Sequence, residues 1–369
     1  MCTQRDAQPT VLYVETYPTG SHGRILDLLM EHSTLHIEDI RCGREHWRWL
    51  AIAAQYEIRE HIWRRAQDPP HLIICSGPLN VSAFVAMLPP GWAAIPRVVY
   101  FHESQWTYPA EDYDPRPFLL AHLDAVALAD EVWFNSRYHL ETFWSAAISP
   151  VAPHRIRNLA SRLHSAFESK CKVIYPPVWI DTDTLAREPD QPGRRLLWNA
   201  RWELDKRPDT FVQFLDILTA AGQDFDLLVL GTGSTGTEDI ETGLKQHAHR
   251  ASLPGHFEDR STYEAALTSA GIFVSTANHE FFGVAALEAA LSGLVPVLPA
   301  NLAYPETLPS AYFYAPDDIE DLSRVVGHLL DRPRGVPTAH RSDAARFIPA
   351  RTVPVFDDHC LQVIAGRQR

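Results

Sequence analysis

Short continuous apolar runs punctuate the chain. In the first half they are Val11-Leu12-Tyr13-Val14, Leu72-Ile73-Ile74-Cys75, Val98-Val99-Tyr100-Phe101 and Val132-Trp133-Phe134. In the second half they are Leu196-Leu197-Trp198-Asn199, Phe225 to Leu230, Ile272-Phe273-Val274-Ser275 and Leu294 to Leu298. Runs this short and uniformly apolar read as strands covered on both faces, as in a parallel sheet. Between them, Ile25, Leu26, Leu28 and Leu29 follow helical spacing, and Asn135-Ser136 caps a helix start. Tyr263 to Ala270 fits a short helix, and another opens near Gly283 and runs to about Ser292. Strand, loop and helix in repetition predict an α/β fold of doubly wound, Rossmann-like domains, with ligands at the carboxyl ends of the strands.

A chain of 369 residues exceeds the size at which one core keeps growing, so two domains are expected. The first spans residues 1–180 and closes with Val173 to Trp179. Residues 181–193, polar with two prolines, read as a linker, and residues 194–346 form the second domain. Residues 347–369 look helical at their end and are expected to pack back on the first domain.

With 46% hydrophobic and 21% charged residues the composition is that of a soluble globular protein. No apolar run reaches the ~18 residues that span a bilayer, and the polar start Met1 to Asp6 lacks a signal-peptide pattern. A cytoplasmic protein without a membrane partner is the expectation. Cys2, Cys42, Cys75, Cys171 and Cys360 lie far apart, with no C-x-x-C pair and no zinc-ligand cluster, and read as free thiols. The formal net charge of −13 argues against indiscriminate nucleic-acid binding. Residues 1–180 carry 16 Lys and Arg against 19 Asp and Glu, whereas residues 181–369 carry 17 against 27. One basic island stands out between residues 137 and 172, with Arg137, Arg155, Arg157, Arg162, Lys170 and Lys172 against Glu141 and Glu168. It is either a solvated helix face or the place where a polyanion binds.

The densest candidate chemistry surrounds His279-Glu280-Phe281-Phe282-Gly283-Val284, which runs into a helix containing Glu288. The N–H groups that open a helix have no intrahelical partner and attract an anion, and Gly283 would let a phosphate approach the backbone near Val284. Phe281 and Phe282 can wall off a sugar ring, Glu280 can accept from sugar hydroxyls, and Glu288 can hold a second polyol such as a ribose. Two glutamates near a helix start also serve dipole compensation and solubility alone. Upstream, Arg201 and Lys206 lie five positions apart in a strand-to-helix loop and can clamp a diphosphate, or simply pair with Glu203 and Asp205. Phe225 to Leu230 ends in Gly231-Thr232-Gly233, and His256 and Phe257 could flank a base. Asp181-Thr182-Asp183 spells the D-x-D of metal-dependent glycosyltransferases but falls in the linker, where a metal pair would not be held rigidly.

In the first half, the loop Glu15 to Gly23 contains Gly20, Ser21 and His22 but neither G-x-G-x-x-G nor G-x-x-x-x-G-K-[ST], so dinucleotide and P-loop binding are unsupported. Ser21 and His22 suit turn and cap roles. Arg41 to Trp49 mixes basic and aromatic residues, which fits base stacking or a solvated helix face with two anchoring tryptophans. Asn80 follows the second strand, and His102, Glu103, Gln105 and Tyr108 follow the third, where α/β ligand sites form.

Arg201 and Lys206 followed by Glu280-x7-Glu288 resemble the donor site of family 4 retaining glycosyltransferases of the GT-B fold, over about residues 194–300. Val14-Glu15 with Gly20-Ser21-His22, Tyr100-Phe101-His102-Glu103-Ser104-Gln105 with Tyr108-Pro109, and Trp198-Asn199-Ala200-Arg201-Trp202-Glu203 together resemble the tRNA-queuosine mannosyltransferase group. The resemblance implies two Rossmann-like domains facing a central cleft, retention of configuration, GDP-mannose as donor and queuosine at the wobble position of tRNA(Asp) as acceptor. It implies no cofactor and no metal. His102, Glu280, Arg201 and Lys206 then carry the chemistry, while Gly231, His256, Phe257, Phe282, Gly283, Val284 and Glu288 bind the donor. Gly20, Ser21, His22, Asn80, Glu103, Gln105 and Tyr108 line the acceptor side, and the basic island holds the tRNA backbone. A family 4 enzyme with another nucleotide sugar and a lipid or small-molecule acceptor, or a non-catalytic tRNA- or nucleotide-binding protein, are the alternatives, and the oligomeric state is open.

Overall fold

The computed structural model describes residues 8–43, 47–108, 114, 116–149, 154–180, 193–231, 238–257, 259–331 and 339–366. The linker residues 181–192 with the D-x-D triplet, together with Cys2, Arg44 to His46, Pro109, Thr232 and Gly233, lie outside the described residues. Two compact units emerge, one made of Met1–Pro177 with Phe347–Arg369, the other of Val178–Arg346. The first unit ends at Pro177 rather than at residue 180. The Trp179 carbonyl accepts from Arg260 Nη2 at 2.8 Å, which ties this stretch to the second unit.

In the first unit β1 (Thr10–Glu15), β2 (His36–Arg41), β3 (Leu72–Ser76), β4 (Arg97–Phe101), β5 (Glu131–Phe134) and β6 (Cys171–Val173) form a parallel sheet in the order β2-β1-β3-β4-β5-β6. Every residue of β3 and β4 is buried, because helices cover both faces. Alternation along β1 feeds two cores. Leu12 and Val14 join Leu50, Ile58, Phe84, Leu123 and Phe143 on one face, and Val11 and Tyr13 join Ile25, Leu29, Tyr100 and Trp133 on the other. The helix Pro349–Gly366 completes the second core with Val353, Phe356 and Cys360. Its Asp357 accepts from Ser33 Oγ at 2.6 Å and from Thr34 N and Oγ1 at 2.7 and 2.8 Å, just beyond the helix Gly20–His32.

The second unit repeats the plan with β7 (Arg195–Asn199), β8 (Asp226–Leu230), β9 (Ala251–Gly255), β10 (Ile272–Val274), β11 (Val295–Pro299) and β12 (Tyr312–Tyr314), ordered β12-β11-β10-β7-β8-β9. Leu196, Trp198, Phe211, Phe214, Val229, Val274, Val297 and Val326 lie at its core. Chain order reverses between β1 and β3 in the first sheet and between β7 and β10 in the second. Such switch points leave a crevice at the carboxyl ends of the strands, where ligands bind.

Candidate functional site

At the switch point of the second unit, the loop after β7 meets the loop after β10. Lys206 Nζ donates to the His279 carbonyl at 2.9 Å and to Glu280 Oε2 at 3.1 Å, and lies 3.1 Å from Asp205 Oδ2. Burial alone would pull the Lys206 pKa down, but the Glu280 and Asp205 carboxylates outweigh it and raise it, so the ammonium stays charged. Two of its protons are engaged by the His279 carbonyl and Glu280, with the Asp205 carboxylate alongside as an ion-pair partner. Arg201 is half exposed, with Nη1 3.4 Å from Glu203 Oε1. Glu280 Oε1 accepts from Gly283 N at 3.2 Å, which leaves Val284 as the first residue of the helix Val284–Leu291 with its N–H toward the opening turn.

Gly283 has φ +85°, and a Cβ there would stand 2.9 Å from the Tyr304 ring. Packing against Tyr304, as well as any approach by a phosphate, therefore requires glycine at this position. Gly231, φ +87°, closes on the β7 loop: its Cβ would meet the Ala200 carbonyl oxygen at 2.1 Å. His256 is exposed and Phe257 half-buried directly after β9, beside Gly255, whose carbonyl accepts from Gly231 N at 2.9 Å. The expectation that Phe281 and Phe282 wall off a sugar ring needs correcting. They are 3% and 2% exposed, so they support the loop from within, Phe281 with its ring 4.5 Å from that of His279.

Glu288 lies on the second turn of its helix, buried, with Oε1 2.9 Å from Arg260 Nη2. Its Oε2 accepts from the Tyr263 hydroxyl at 2.6 Å, and that hydroxyl accepts from Asn199 Nδ2 at 2.8 Å. Sequence reasoning assigned no role to Asn199, Tyr263 or Arg260, and offered Asp205 only as a pairing partner for the loop cations, which its 3.1 Å contact with Lys206 matches. The signals were present in Asn199 within the Trp-Asn-x-Arg-Trp-Glu segment, and in Arg260 and Glu264 spaced four apart on one helix beside Tyr263.

The first unit gathers a different set. Glu15, wholly buried at the end of β1, accepts from Tyr17 N at 2.8 Å and from Ser76 Oγ at 2.9 Å, with His22 Nδ1 at 3.6 Å. Burial would raise the Glu15 pKa, but the charge and hydrogen bond of His22, the His102 imidazole and the Tyr17 N–H together hold it below its ordinary value. His102 follows β4, with its ring 5.1 Å from that of His22 and 4.2 Å from that of Tyr100. Its Nε2 is 3.3 Å from the Tyr13 hydroxyl, and its buried Nδ1 has no hydrogen-bond partner among the described residues. Burial and the neighbouring His22 push the His102 pKa down to about 3 against the opposing pull of Glu15, so the ring is neutral.

A buried relay fixes the His102 loop. Asn135 Nδ2 donates to the His102 carbonyl at 2.7 Å, His139 Nδ1 is 2.9 Å from Asn135 Oδ1, and His139 Nε2 is 2.7 Å from Ser104 Oγ. Glu103 accepts from Gln105 Nε2 at 2.8 Å and from the Tyr108 hydroxyl at 2.7 Å, so three expected acceptor-side residues form one chain of hydrogen bonds. Gly20 and Ser21 are exposed at the start of the first helix, while Asn80 caps the helix Val81–Ala86 by accepting from Ala83 N at 3.0 Å.

The basic island divides. Arg137, Arg155 and Arg162 are exposed and Arg157 is half-buried, the last three on the helix His154–Phe167. Lys170 and Lys172 instead serve the fold. Lys170 Nζ donates to the Ala129 carbonyl at 2.6 Å and sits 3.9 Å above the Phe167 ring centre, and its burial lowers its pKa. Lys172 Nζ donates to the Ser169 carbonyl at 2.8 Å. Among the described residues, no group of three or more His, Cys, Asp or Glu is placed to hold a metal ion, and no helix is long and apolar enough to cross a membrane.

Residues 10–178 match the family described as tRNA-queuosine alpha-mannosyltransferase N-terminal, and residues 193–332 match glycosyl transferases group 1. The Drosophila melanogaster tRNA-queuosine alpha-mannosyltransferase is 30% identical over 326 residues, covering 84% of each chain. In architecture the chain resembles sucrose-phosphate synthase from Thermosynechococcus elongatus, with a TM-score of 0.70 at 14% identity over 97% of this chain and 100% of that one. Anabaena HepE in complex with UDP gives 0.61 at 14% identity, over 97% of this chain and 100% of that one. These two neighbours establish the GT-B class of fold. With its α/β sheets and both halves matched, the chain is a glycosyltransferase that belongs to the tRNA-queuosine alpha-mannosyltransferase family.

Proposed function

We propose that the protein transfers mannose from GDP-mannose to queuosine at the wobble position of tRNA(Asp). The observation that carries the donor half is the pair of carboxylates, Glu280 and Glu288, each fixed by a cation at the switch point of the second sheet. In this reading Glu280 accepts from mannose hydroxyls and Glu288 from the ribose. The half-exposed Arg201, together with Lys206 and the N–H groups that open the helix at Val284, answers the charge that grows on the leaving diphosphate. These donors are set before the glycosidic bond breaks, so no metal is required to stabilise the departing phosphate. Attack from the same face as departure, through an ion-pair-like state, retains configuration.

The acceptor half is supported by the 30% identical relative, which is named for tRNA-queuosine mannosylation. The neutral imidazole of His102, with its unpartnered Nδ1, can donate or accept one hydrogen bond at the reacting groups without carrying charge. Arg155 and Arg162, exposed on one helix face, provide phosphate contacts. A tRNA acceptor places the reaction in the cytoplasm. The test is nucleoside mass spectrometry of tRNA incubated with the protein and GDP-mannose in the presence of a chelator. Hexosylated queuosine is expected. Product formed only from a uridine or adenosine sugar would move the donor, and chelator-sensitive product would overturn the metal-free mechanism.

A further inference from the structure

Glu288 is 6% exposed, and a buried carboxylate offers about four lone-pair positions to hydrogen-bond donors. Two are filled, by Arg260 Nη2 at 2.9 Å on Oε1 and by the Tyr263 hydroxyl at 2.6 Å on Oε2. Neither partner is itself free to turn. Arg260 Nε donates to Glu264 Oε1 at 2.7 Å, Nη2 also donates to the Trp179 carbonyl at 2.8 Å, and the guanidinium lies 4.8 Å from the Tyr263 ring centre. Asn199 Nδ2 donates to the Tyr263 oxygen at 2.8 Å. A phenol has one proton, so a donor on its oxygen leaves that proton for Glu288 and fixes the carboxylate plane from one side while Arg260 fixes it from the other.

We infer that Tyr263 and Arg260, with Asn199 behind them, are positioning residues for the ribose of the nucleoside diphosphate, acting through Glu288. The inference rests on the reading of Glu288 as the ribose-binding carboxylate. Two of the four lone-pair positions are spent on locking the group, and the remaining two meet the adjacent 2′ and 3′ hydroxyls. A glutamate side chain on its own would have to give up rotamer freedom to do this. The arrangement gives the asparagine of the Trp-Asn-x-Arg-Trp-Glu segment a specific role, because it sets the direction of a hydrogen bond two residues removed from the ligand.

A buried network that merely satisfies Glu288 would stabilise the domain without distinguishing one sugar from another. The experiment is therefore calorimetric binding of GDP, 2′-deoxy-GDP and 3′-deoxy-GDP to the full chain and to Tyr263→Phe, Asn199→Asp and Glu288→Gln variants. The wild type is expected to lose affinity about tenfold when a ribose hydroxyl bound by Glu288 is removed. Tyr263→Phe keeps the ring and its packing; it should weaken GDP by about tenfold but the deoxy nucleotide it is coupled to by less than about threefold. Asn199→Asp replaces the donor by an acceptor that competes for the Tyr263 proton, and should reproduce that pattern. In mannose transfer both variants should raise the KM for GDP-mannose while leaving kcat within about threefold. If Tyr263→Phe weakens GDP and both deoxy nucleotides equally, Tyr263 is scaffold and the inference fails while the ribose reading stands. If the wild type does not discriminate between GDP and either deoxy nucleotide, or if Glu288→Gln discriminates between them as strongly as the wild type does, the ribose reading fails and takes the inference with it.

Discussion

The two sheet-end clusters solve opposite problems. In the second unit two carboxylates are each matched by a cation, Glu280 by Lys206 at 3.1 Å and Glu288 by Arg260 at 2.9 Å, and charge is the working material. In the first unit the buried carboxylate Glu15 has no Lys or Arg against it among the described residues. It is held by a serine hydroxyl, a backbone N–H and His22, next to a histidine that burial keeps neutral. A site for a diphosphate needs fixed charge whose sign does not change with pH. A site that presents hydroxyls to one another needs a group able to donate or accept without bringing charge into a buried place. Position at the switch point is the same in both units, and the chemistry differs because the residue types do.

The sharpest way to break this contrast is His102→Ala. It should reduce mannose transfer to background while leaving GDP affinity within about twofold. Loss of GDP affinity instead would put His102 in the donor site and erase the division of labour. Lys206→Ala should lower kcat by about 10² to 10³. It should also destabilise the second unit, since Asp205, 4% exposed, loses its cation. Unchanged turnover in the folded fraction would remove Lys206 from the donor machinery.

A smaller effect separates the two kinds of basic residue. Arg155→Ala with Arg162→Ala should weaken tRNA binding and reduce the slope of log affinity against log salt by roughly 1.4 to 1.8, two phosphate contacts' worth. Lys170→Ala should leave that slope unchanged and lower thermal stability, because its ammonium satisfies the Ala129 carbonyl. Equal effects on tRNA binding from both would rejoin the island that the structure divides.

The smallest effect tests the neutral histidines of the first unit. Burial holds His122 down at about 4 and, with His22, holds His102 at about 3, both from an ordinary 6.5. Below pH 6.5 the unfolded chain takes up protons that the folded chain does not, so stability falls as pH drops from 6.5 toward 4. Glu15, with its pKa held low, adds loss of the same sign at lower pH. His122→Phe should flatten that slope by at most about 1.4 kcal/mol per pH unit. An unchanged slope in the stability of the variant would show that His122 does not titrate as its burial requires.

The sequence shows the interior of each sheet far better than its margins. β1, β3, β4, β5, β7, β8, β10 and β11 stand out as apolar runs because both faces are covered. The four strands that do not stand out, β2, β6, β9 and β12, are the edges of the two sheets. His36–Arg41 buries only Ile37 and Ile40, and in Ala251–Gly255 the central Ser252, Leu253 and Pro254 are all exposed, so neither edge strand forms an apolar run. In the site, residues with distinctive chemistry at strand ends, such as His102, Lys206 and Glu280, are legible from position and type. Their partners are not. The contact of Tyr263 with Glu288 joins residues 25 positions apart, and that of Lys206 with the His279 carbonyl joins residues 73 apart. No local pattern encodes such a pairing. Lys170 misleads for the same reason, since a lysine that caps carbonyls and one that meets phosphate look alike until the fold places them.

The most direct test is single-turnover transfer of labelled mannose from GDP-mannose to two preparations of tRNA(Asp), one carrying queuosine and one carrying guanosine at the wobble position. The account predicts label on the queuosine tRNA alone, at a rate that falls with Lys206→Ala. Equal labelling of both tRNAs, or labelling of neither while a different acceptor is glycosylated, would contradict it.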